Sequence, residues 1–312
     1  MWILRRGSFI ISDVNDADPY DIHAGVMHRM APGRHCRVMI RHKYMKIVSL
    51  ISAVDQNIDA MLSGMRLETD AVLVNQLRDG EHAVDSCGIK GSDISSDDHH
   101  IKCITMHRRG VGLSRNTCID NCPDCDICLF TDEDIVYDQG YSDKIIAEYE
   151  AHPEADAILF NMRVCEGRRT YWNEQYDRVR FYNYGRYPAY SISIRKKVLD
   201  QSGVHFPLEF GGGAKYINGE DSVFLHDLLK AGVRIYKSPV CLGEETERES
   251  TWFKGYTDNF FISRGALYVR LYGVWAKLRA HIFLIRHKDM YKDRGYASAY
   301  GLMKKGMNEY SG

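Results

Sequence analysis

The stretch Cys125-Asp126-Ile127-Cys128-Leu129-Phe130-Thr131-Asp132-Glu133-Asp134 decides the fold. Ile127 to Phe130 has the length and composition of a buried strand, and the run stops abruptly at three acidic residues. Carboxylates crowded at the end of an apolar strand repel one another and resist losing water, so they persist where a cation or bulk solvent neutralises them. Asp132 and Asp134 stand two apart and point to the same side of extended backbone, where both can face one hard divalent ion. Such an ion, Mg²⁺ or Mn²⁺, is usually kept by one or two carboxylates with its other positions left to water and phosphate, the common grip on a nucleotide diphosphate. An isolated Asp-x-Asp is more often a solvated turn, so its weight here comes from its neighbours.

Those neighbours are Arg109-Gly110-Val111-Gly112-Leu113-Ser114-Arg115-Asn116 on one side and Gly219-Glu220-Asp221-Ser222 on the other. At these three motifs, in this order and spacing, the chain resembles a family 2 glycosyltransferase of the GT-A fold, over residues 45–243. The resemblance implies an α/β domain with a Rossmann-like, mostly parallel sheet flanked by helices. It implies a metal-dependent, inverting transfer of a sugar from a nucleotide-diphosphate donor, a UDP-sugar first, to a hydroxyl of a saccharide or lipid-linked acceptor in surface-polysaccharide synthesis.

The resemblance also assigns roles. Asp221 matches the position of the base, with Glu220 orienting the acceptor, and Asp134 with Asp132 would hold Mn²⁺ or Mg²⁺. Arg115, Asn116, Asp132 and Glu133 fall with the donor, and Ala53, Asp55, Asn75, Gln76 and Asp79 where the base is held. Trp252, Gly212 and Gly213 fall near the acceptor. Ser52-Ala53-Val54-Asp55 and Asn75-Gln76-Leu77-Arg78-Asp79 depart from the commonest family pattern after the first and second strands, which leaves the base open.

The residues support the same architecture on their own. From Lys46 onward short apolar runs alternate with helical patterns, the mark of a parallel sheet with helices on its faces. Strands are expected at 47–54, 71–75, 101–106, 126–131, 155–161, 191–194 and 235–241. Helices are expected around Ile58 to Met65, from Ser114, over Tyr141 to Ala151, and from Glu220 to Gly232. In open sheets of this kind ligands sit beyond the carboxyl ends of the strands, the edge where Asp55, Asn75, Gln76, Asp79 and Asp132 fall. Gly110 to Asn116 does not complete the dinucleotide pattern Gly-x-Gly-x-x-Gly, because Arg115 stands where a small residue is needed. A helix start there offers free N–H groups, and Arg115 can meet phosphate or the Asp132 carboxylate. Glu220 and Asp221 occupy a first helical turn, where the helix dipole favours negative charge even without a catalytic role. Phe210-Gly211-Gly212-Gly213 reads as a flexible loop able to close over a bound sugar.

Cys118, Cys122, Cys125 and Cys128 form a Cys-x3-Cys-x2-Cys-x2-Cys run. Its first three members match the spacing of four-iron radical enzymes, and any four thiols can hold zinc. Placing Cys118 and Cys122 on a helix and Cys128 in a strand argues instead for core packing, with a zinc or iron–sulfur protein as the alternative reading; a non-catalytic GT-A-like domain that binds nucleotide-sugar is another. Tyrosines 171, 176, 182, 184, 187 and 190 make an aromatic stretch that suits packing or sugar binding.

The net charge of −1 argues against a nucleic-acid partner. Nine cysteines without a secretory leader point to a reducing, cytoplasmic setting. Residues 1–44 show no period and read as an extension, disordered or not native, with Met45 as a candidate start. Residues 45–252 form the expected transferase domain, and 253–312 a basic amphipathic helical region. Phe253 to Lys292 carries eight Lys or Arg against two Asp, with Leu267, Leu271, Val274, Leu278, Ile282 and Ile285 at helical spacing. That pattern fits peripheral contact with the inner face of the plasma membrane and equally a helix packed on the domain.

Overall fold

The computed structural model describes residues 25–31, 34–40, 45–77, 90–96, 99–165, 170–246 and 255–311; Asp79 and Trp252 lie outside them. The chain divides into two compact units, Met1–Tyr44 and Met45–Gly312. The first contains an antiparallel hairpin of β1 (Gly25–Ala31) and β2 (Arg34–Ile40), paired from Gly25 with Ile40 to Ala31 with Arg34. The local sequence, without a period of two, does not announce it.

The second unit is built on a ten-stranded sheet. Its strands are β3 (Ile47–Val54), β4 (Asp70–Gln76), β5 (Lys90–Ser96), β6 (His99–Met106), β7 (Ile127–Asp132), β8 (Ile135–Tyr137), β9 (Ala157–Arg163), β10 (Asp177–Arg178), β11 (Ile192–Arg195) and β12 (Ile235–Glu245). They run in the order β10-β12-β9-β11-β7-β3-β4-β6-β5, with β8 paired to β12. The central β7, β3, β4 and β6 are parallel, and β11 lies antiparallel between β7 and β9. The helices are α1 (Ile58–Met65), α2 (Val111–Asp120), α3 (Tyr141–Ala151), α4 (Lys196–Ser202), α5 (Glu220–Lys230), α6 (Asp258–Tyr272), α7 (Ala276–Arg286) and α8 (Tyr296–Ser311).

Strand β3 is apolar almost throughout because both of its faces are covered. On one side Val48 and Leu50 pack with Cys118 and Ile119 of α2 and Phe224 of α5. On the other, Ile51 meets Met61 and Met65 of α1, while Ile47 and Leu129 join Tyr141, Ile145 and Tyr149, spaced by one turn along α3. Asn57 caps α1 by accepting the Ala60 N–H at 3.1 Å.

Topology then places the cleft. The chain passes from β3 outward to β4 and β6, and returns through α2 to β7 on the other side of β3. The carboxyl ends of β3 and β7 therefore form a switch point, where adjacent connections leave in opposite directions and open a crevice. Asp132 ends β7 there, opposite Ser52.

The three C-terminal helices belong to the same compact unit as the sheet. Ala266 and Leu267 of α6 pack with Phe210, Tyr216 and Val223, and Arg270 pairs with Asp227 of α5. Helices α6 and α8 meet at two glycines: a Cβ on Gly265 would lie 2.0 Å from the Met303 carbonyl oxygen, and one on Gly306 would lie 1.9 Å from that of Ile262. Leu267 is buried as its spacing predicts, whereas Val274, Leu278 and Ile285 face solvent. Among the described residues no helix is long and apolar enough to cross a membrane.

Candidate active site

Arg115 is the centre of the cleft. It lies on the second turn of α2, which begins after Gly110, a residue at φ 133° with no capping side chain. The first free N–H of that helix, on Val111, is instead satisfied by the Gly212 carbonyl at 2.9 Å. Helix α2 thereby fixes an arginine that is only 4% exposed and stacks its guanidinium 5.2 Å over the Phe206 ring.

A buried guanidinium needs anionic partners, and three converge on it. Nη2 donates to both Asp132 carboxylate oxygens at 3.0 and 3.2 Å, while Nη1 donates to Asp221 at 2.8 Å and Glu220 at 3.5 Å. One side chain thus ties the end of β7 to the first turn of α5. Residues 17, 105 and 106 positions apart in sequence from Arg115 meet at one point.

The electrostatics follow from this crowding. Burial opposes the charge on Arg115, but Asp132, Asp221 and Glu220 hold it firmly protonated. Asp221 is pushed up to about 8, first by burial and then by the charge of Glu220, against the pull of Arg115. Its side chain keeps 23% exposure, so the carboxyl still opens to the cleft. The Ala189 N–H also hydrogen-bonds the carboxyl and moderates the rise. A carboxyl half-ionised near pH 8 and open to a cleft is suited to accept a proton.

The acidic turn after β7 is divided in its duties. Glu133 accepts the Val54 N–H at 2.5 Å, which anchors the turn to the end of β3. The Asp134 carbonyl accepts from the Thr246 N–H at 2.8 Å, as β8 pairs with β12. Tyr190, the last of the six tyrosines, donates to Glu245 at 3.5 Å. Burial first, then the charge of Glu245, raise its pKa. Tyr190 is a member of this cleft that pattern reading did not single out, because nothing distinguishes it locally from its five companions.

Several residues expected at the donor make contacts within the scaffold. Ala53 is 1% exposed and lies in the core with Ile51 and Leu73. Asn75 clasps the Gln56 backbone, accepting its N–H at 3.2 Å and donating to its carbonyl at 3.0 Å. Gln76 donates to the Gly110 carbonyl at 3.0 Å and so fixes the approach to α2. Asn116 makes a paired amide contact with the Phe206 backbone at 2.8 and 2.9 Å. Asp55 stays at the loop edge with φ 50°. Asn75, Gln76 and Asn116 are polar residues near a ligand edge, yet their hydrogen bonds close loops on which the cleft depends.

The expected flexible Gly211-Gly212-Gly213 loop is closely packed. Gly211 donates to the Tyr216 carbonyl at 2.8 Å, Gly212 is buried, and Gly213 stands against the Gly110 backbone. Glycine is required at 211 by a φ of 101° and because a Cβ would lie 2.7 Å from the Glu220 carboxyl carbon. The loop therefore seats Glu220.

Residues 89–211 match the family model for glycosyl transferase family 2. The match covers 123 of the chain's 312 residues, over which it is similar to glycosyl transferase family 2. Among solved structures, Staphylococcus aureus TarS 1–349 in complex with UDP-GlcNAc aligns over 85% of this chain and 80% of its own, at 14% identity and a TM-score of 0.54. A longer TarS chain aligns over 85% of this one and 48% of its own, at 15% identity and a TM-score of 0.52. The mannosyltransferase PcManGT of Pyrobaculum calidifontis, solved with GDP-Man and Mn²⁺, aligns over 86% of this chain and 76% of its own, at 14% identity and a TM-score of 0.44. No curated protein sequence matches the chain. What the chain shares with TarS is the GT-A fold, the architecture described above.

The cysteines pack in or against the core as expected, but Cys122 departs from its expected place on a helix. Helix α2 ends at Asp120, so Cys122 lies in the following turn and is free to approach Cys125 and Cys128. Those three sulfurs lie within 4.8 Å of one another while both α2 and β7 stay intact. Cys118 takes no part: it is fully buried and donates to the Ile51 carbonyl at 3.3 Å.

Proposed function

We propose that the chain is an inverting glycosyltransferase that moves a sugar from a nucleotide-diphosphate donor to a hydroxyl of a saccharide or lipid-linked acceptor. The observation that carries this reading is the Arg115 junction, where one buried cation joins the acidic strand end to Asp221 and Glu220. A nucleotide-sugar is also what the TarS structure holds on the same fold.

Asp221 takes the proton from the acceptor hydroxyl, a poor nucleophile until it is deprotonated. Attack comes from the face opposite the leaving diphosphate, so the anomeric configuration inverts. Arg115 keeps Asp221 aimed into the cleft, and Glu220, seated by Gly211, shares that guanidinium. Asp132 has both oxygens on Arg115, and Asp134 stands two residues on, in the turn that follows the same strand. Two carboxylates at the strand end do not close a cage, which suits Mn²⁺ or Mg²⁺ shared with substrate phosphate. Such an ion, held by Asp134 with Asp132, would offset charge on the departing diphosphate.

A lipid-linked acceptor is supported by the exposed Val274, Trp275, Leu278 and Ile285, with Lys277, Arg286 and Lys288 exposed beside them. The test is turnover of a panel of UDP-, GDP- and dTDP-sugars with and without Mn²⁺. Metal-dependent binding and slow hydrolysis of one donor class are expected, and failure of every donor to bind overturns the proposal.

A further inference from the structure

Outside the cleft, the described residues bring together one group of three potential metal ligands: Cys122, Cys125 and Cys128. Their sulfurs are separated by 3.7 Å for Cys122 and Cys128, 3.8 Å for Cys122 and Cys125, and 4.0 Å for Cys125 and Cys128. Three thiolates on one tetrahedral zinc, with bonds of 2.3 Å, stand about 3.8 Å apart along the edges of the tetrahedron. A disulfide would need about 2.05 Å, far inside any of these separations. In a four-iron cluster each cysteine holds a different iron, which spreads the sulfurs wider than ligands of a single ion.

We propose that Cys122, Cys125 and Cys128 bind one zinc ion in a structural site that staples the end of α2 to the start of β7. The surroundings suit it. Cys128 is fully buried, and the partly exposed Cys122 and Cys125 pack against the same apolar cluster, so one side of the site is dry. The other side opens to solvent, where water completes the tetrahedron. On the neighbouring α4, Lys196 pairs through its Nζ with Asp200 at 2.6 Å. The Lys196 N–H also donates to the Asp126 carbonyl at 3.0 Å, which holds the start of α4 against the same turn.

The placement defines the role. Cys128 precedes Asp132 by four residues on β7, about 13 Å at the rise of a strand, so the ion is remote from the proton transfer. Yet α2 carries Arg115 and β7 carries Asp132, and a clamp at their far ends fixes the register in which those two side chains meet. This inference does not rest on the donor chemistry: zinc is measured whether or not any sugar is transferred.

The test uses the full chain, purified under reductant. Elemental analysis is expected to find about one zinc per chain, a strong chelator to lower the Tm, and added Zn²⁺ to restore it. Co²⁺ titrated into chelated wild-type protein is expected to give thiolate-to-metal charge-transfer absorption with a one-to-one endpoint. Cys125→Ser is expected to weaken Co²⁺ binding at least tenfold, whereas Cys165→Ser leaves it unchanged. Reduced wild-type protein that retains no metal and gives no cobalt spectrum would overturn the site, and so would iron with labile sulfide. The wild-type titration decides even if the serine variant fails to fold.

Discussion

Replacing Arg115 with methionine tests the junction at its centre. The substitution keeps an apolar stem of similar length over the Phe206 ring but removes the cation that pairs with Asp132, Glu220 and Asp221. The guanidinium is 5% exposed and its partners 27%, 14% and 23%, so the carboxylates left behind are only partly rescued by water. Removing one partner of a buried ion pair costs about 3–5 kcal/mol, because the other charge stays buried and uncompensated. For a unit of this size that corresponds to a fall in Tm on the order of 10 °C. The deficit must also depend on pH. Without Arg115 the carboxylates ionise less readily, so Arg115→Met loses least at pH 5, where they can protonate, and most at pH 8.5. Urea denaturation of both proteins at pH 5, 7 and 8.5 reads this directly. A loss below about 1 kcal/mol, the range of a surface ion pair, or a loss constant across pH, would refute the reasoning.

Further tests address single links. Asp221→Asn is expected to lower kcat by about 10²–10⁴ while donor Kd changes less than about twofold, measured by turnover and calorimetry. In the wild type kcat/KM should rise with pH through an apparent pKa near 8, the value of free Asp221. Because that pKa is raised on folding, the unfolded chain releases its proton first, and folded-state stability falls as pH climbs towards 8. Asp221→Asn should flatten that slope in thermal melts from pH 5 to 9, and an unchanged slope would remove Asp221 as its source. Gly211→Ala adds a Cβ at φ 101° and 2.7 Å from Glu220, so a loss of about 1–3 kcal/mol is expected, with activity falling as Glu220 shifts. Leu278→Glu should reduce sedimentation with anionic phosphatidylglycerol vesicles several-fold and leave binding to neutral vesicles at background; equal recovery of both proteins would remove the membrane role of α7.

The parallel core was legible because its strands, buried on both faces, read as unbroken apolar runs bounded by polar residues. Ile47–Val54 and the α3 span Tyr141–Ala151 appear where their patterns place them. Strand β8 was hidden, since three residues carry no period and it exists only by pairing with β12, about a hundred residues on. The meeting of Arg115 with Asp132 could be anticipated from chemistry, an arginine at a helix start and carboxylates at a strand end. That Asn75, Gln76 and Asn116 close loops could not, because a buried amide serving backbone 90 residues away looks the same in sequence as one aimed at a ligand. The placement of Cys122 was misread for a related reason: whether it sits on α2 or just past it depends on where that helix stops. The helix ends at Asp120, before Pro123, and the single turn between them brings three thiols together.

The most direct measurement of the central claim is nucleotide-sugar binding and turnover for wild type, Asp134→Ala and Asp221→Asn side by side, with and without Mn²⁺. Metal-dependent donor binding is expected in the wild type and lost in Asp134→Ala, with intact binding but no turnover in Asp221→Asn. Turnover that survives Asp221→Asn at wild-type rates, or donor binding indifferent to both Mn²⁺ and Asp134, would contradict that claim.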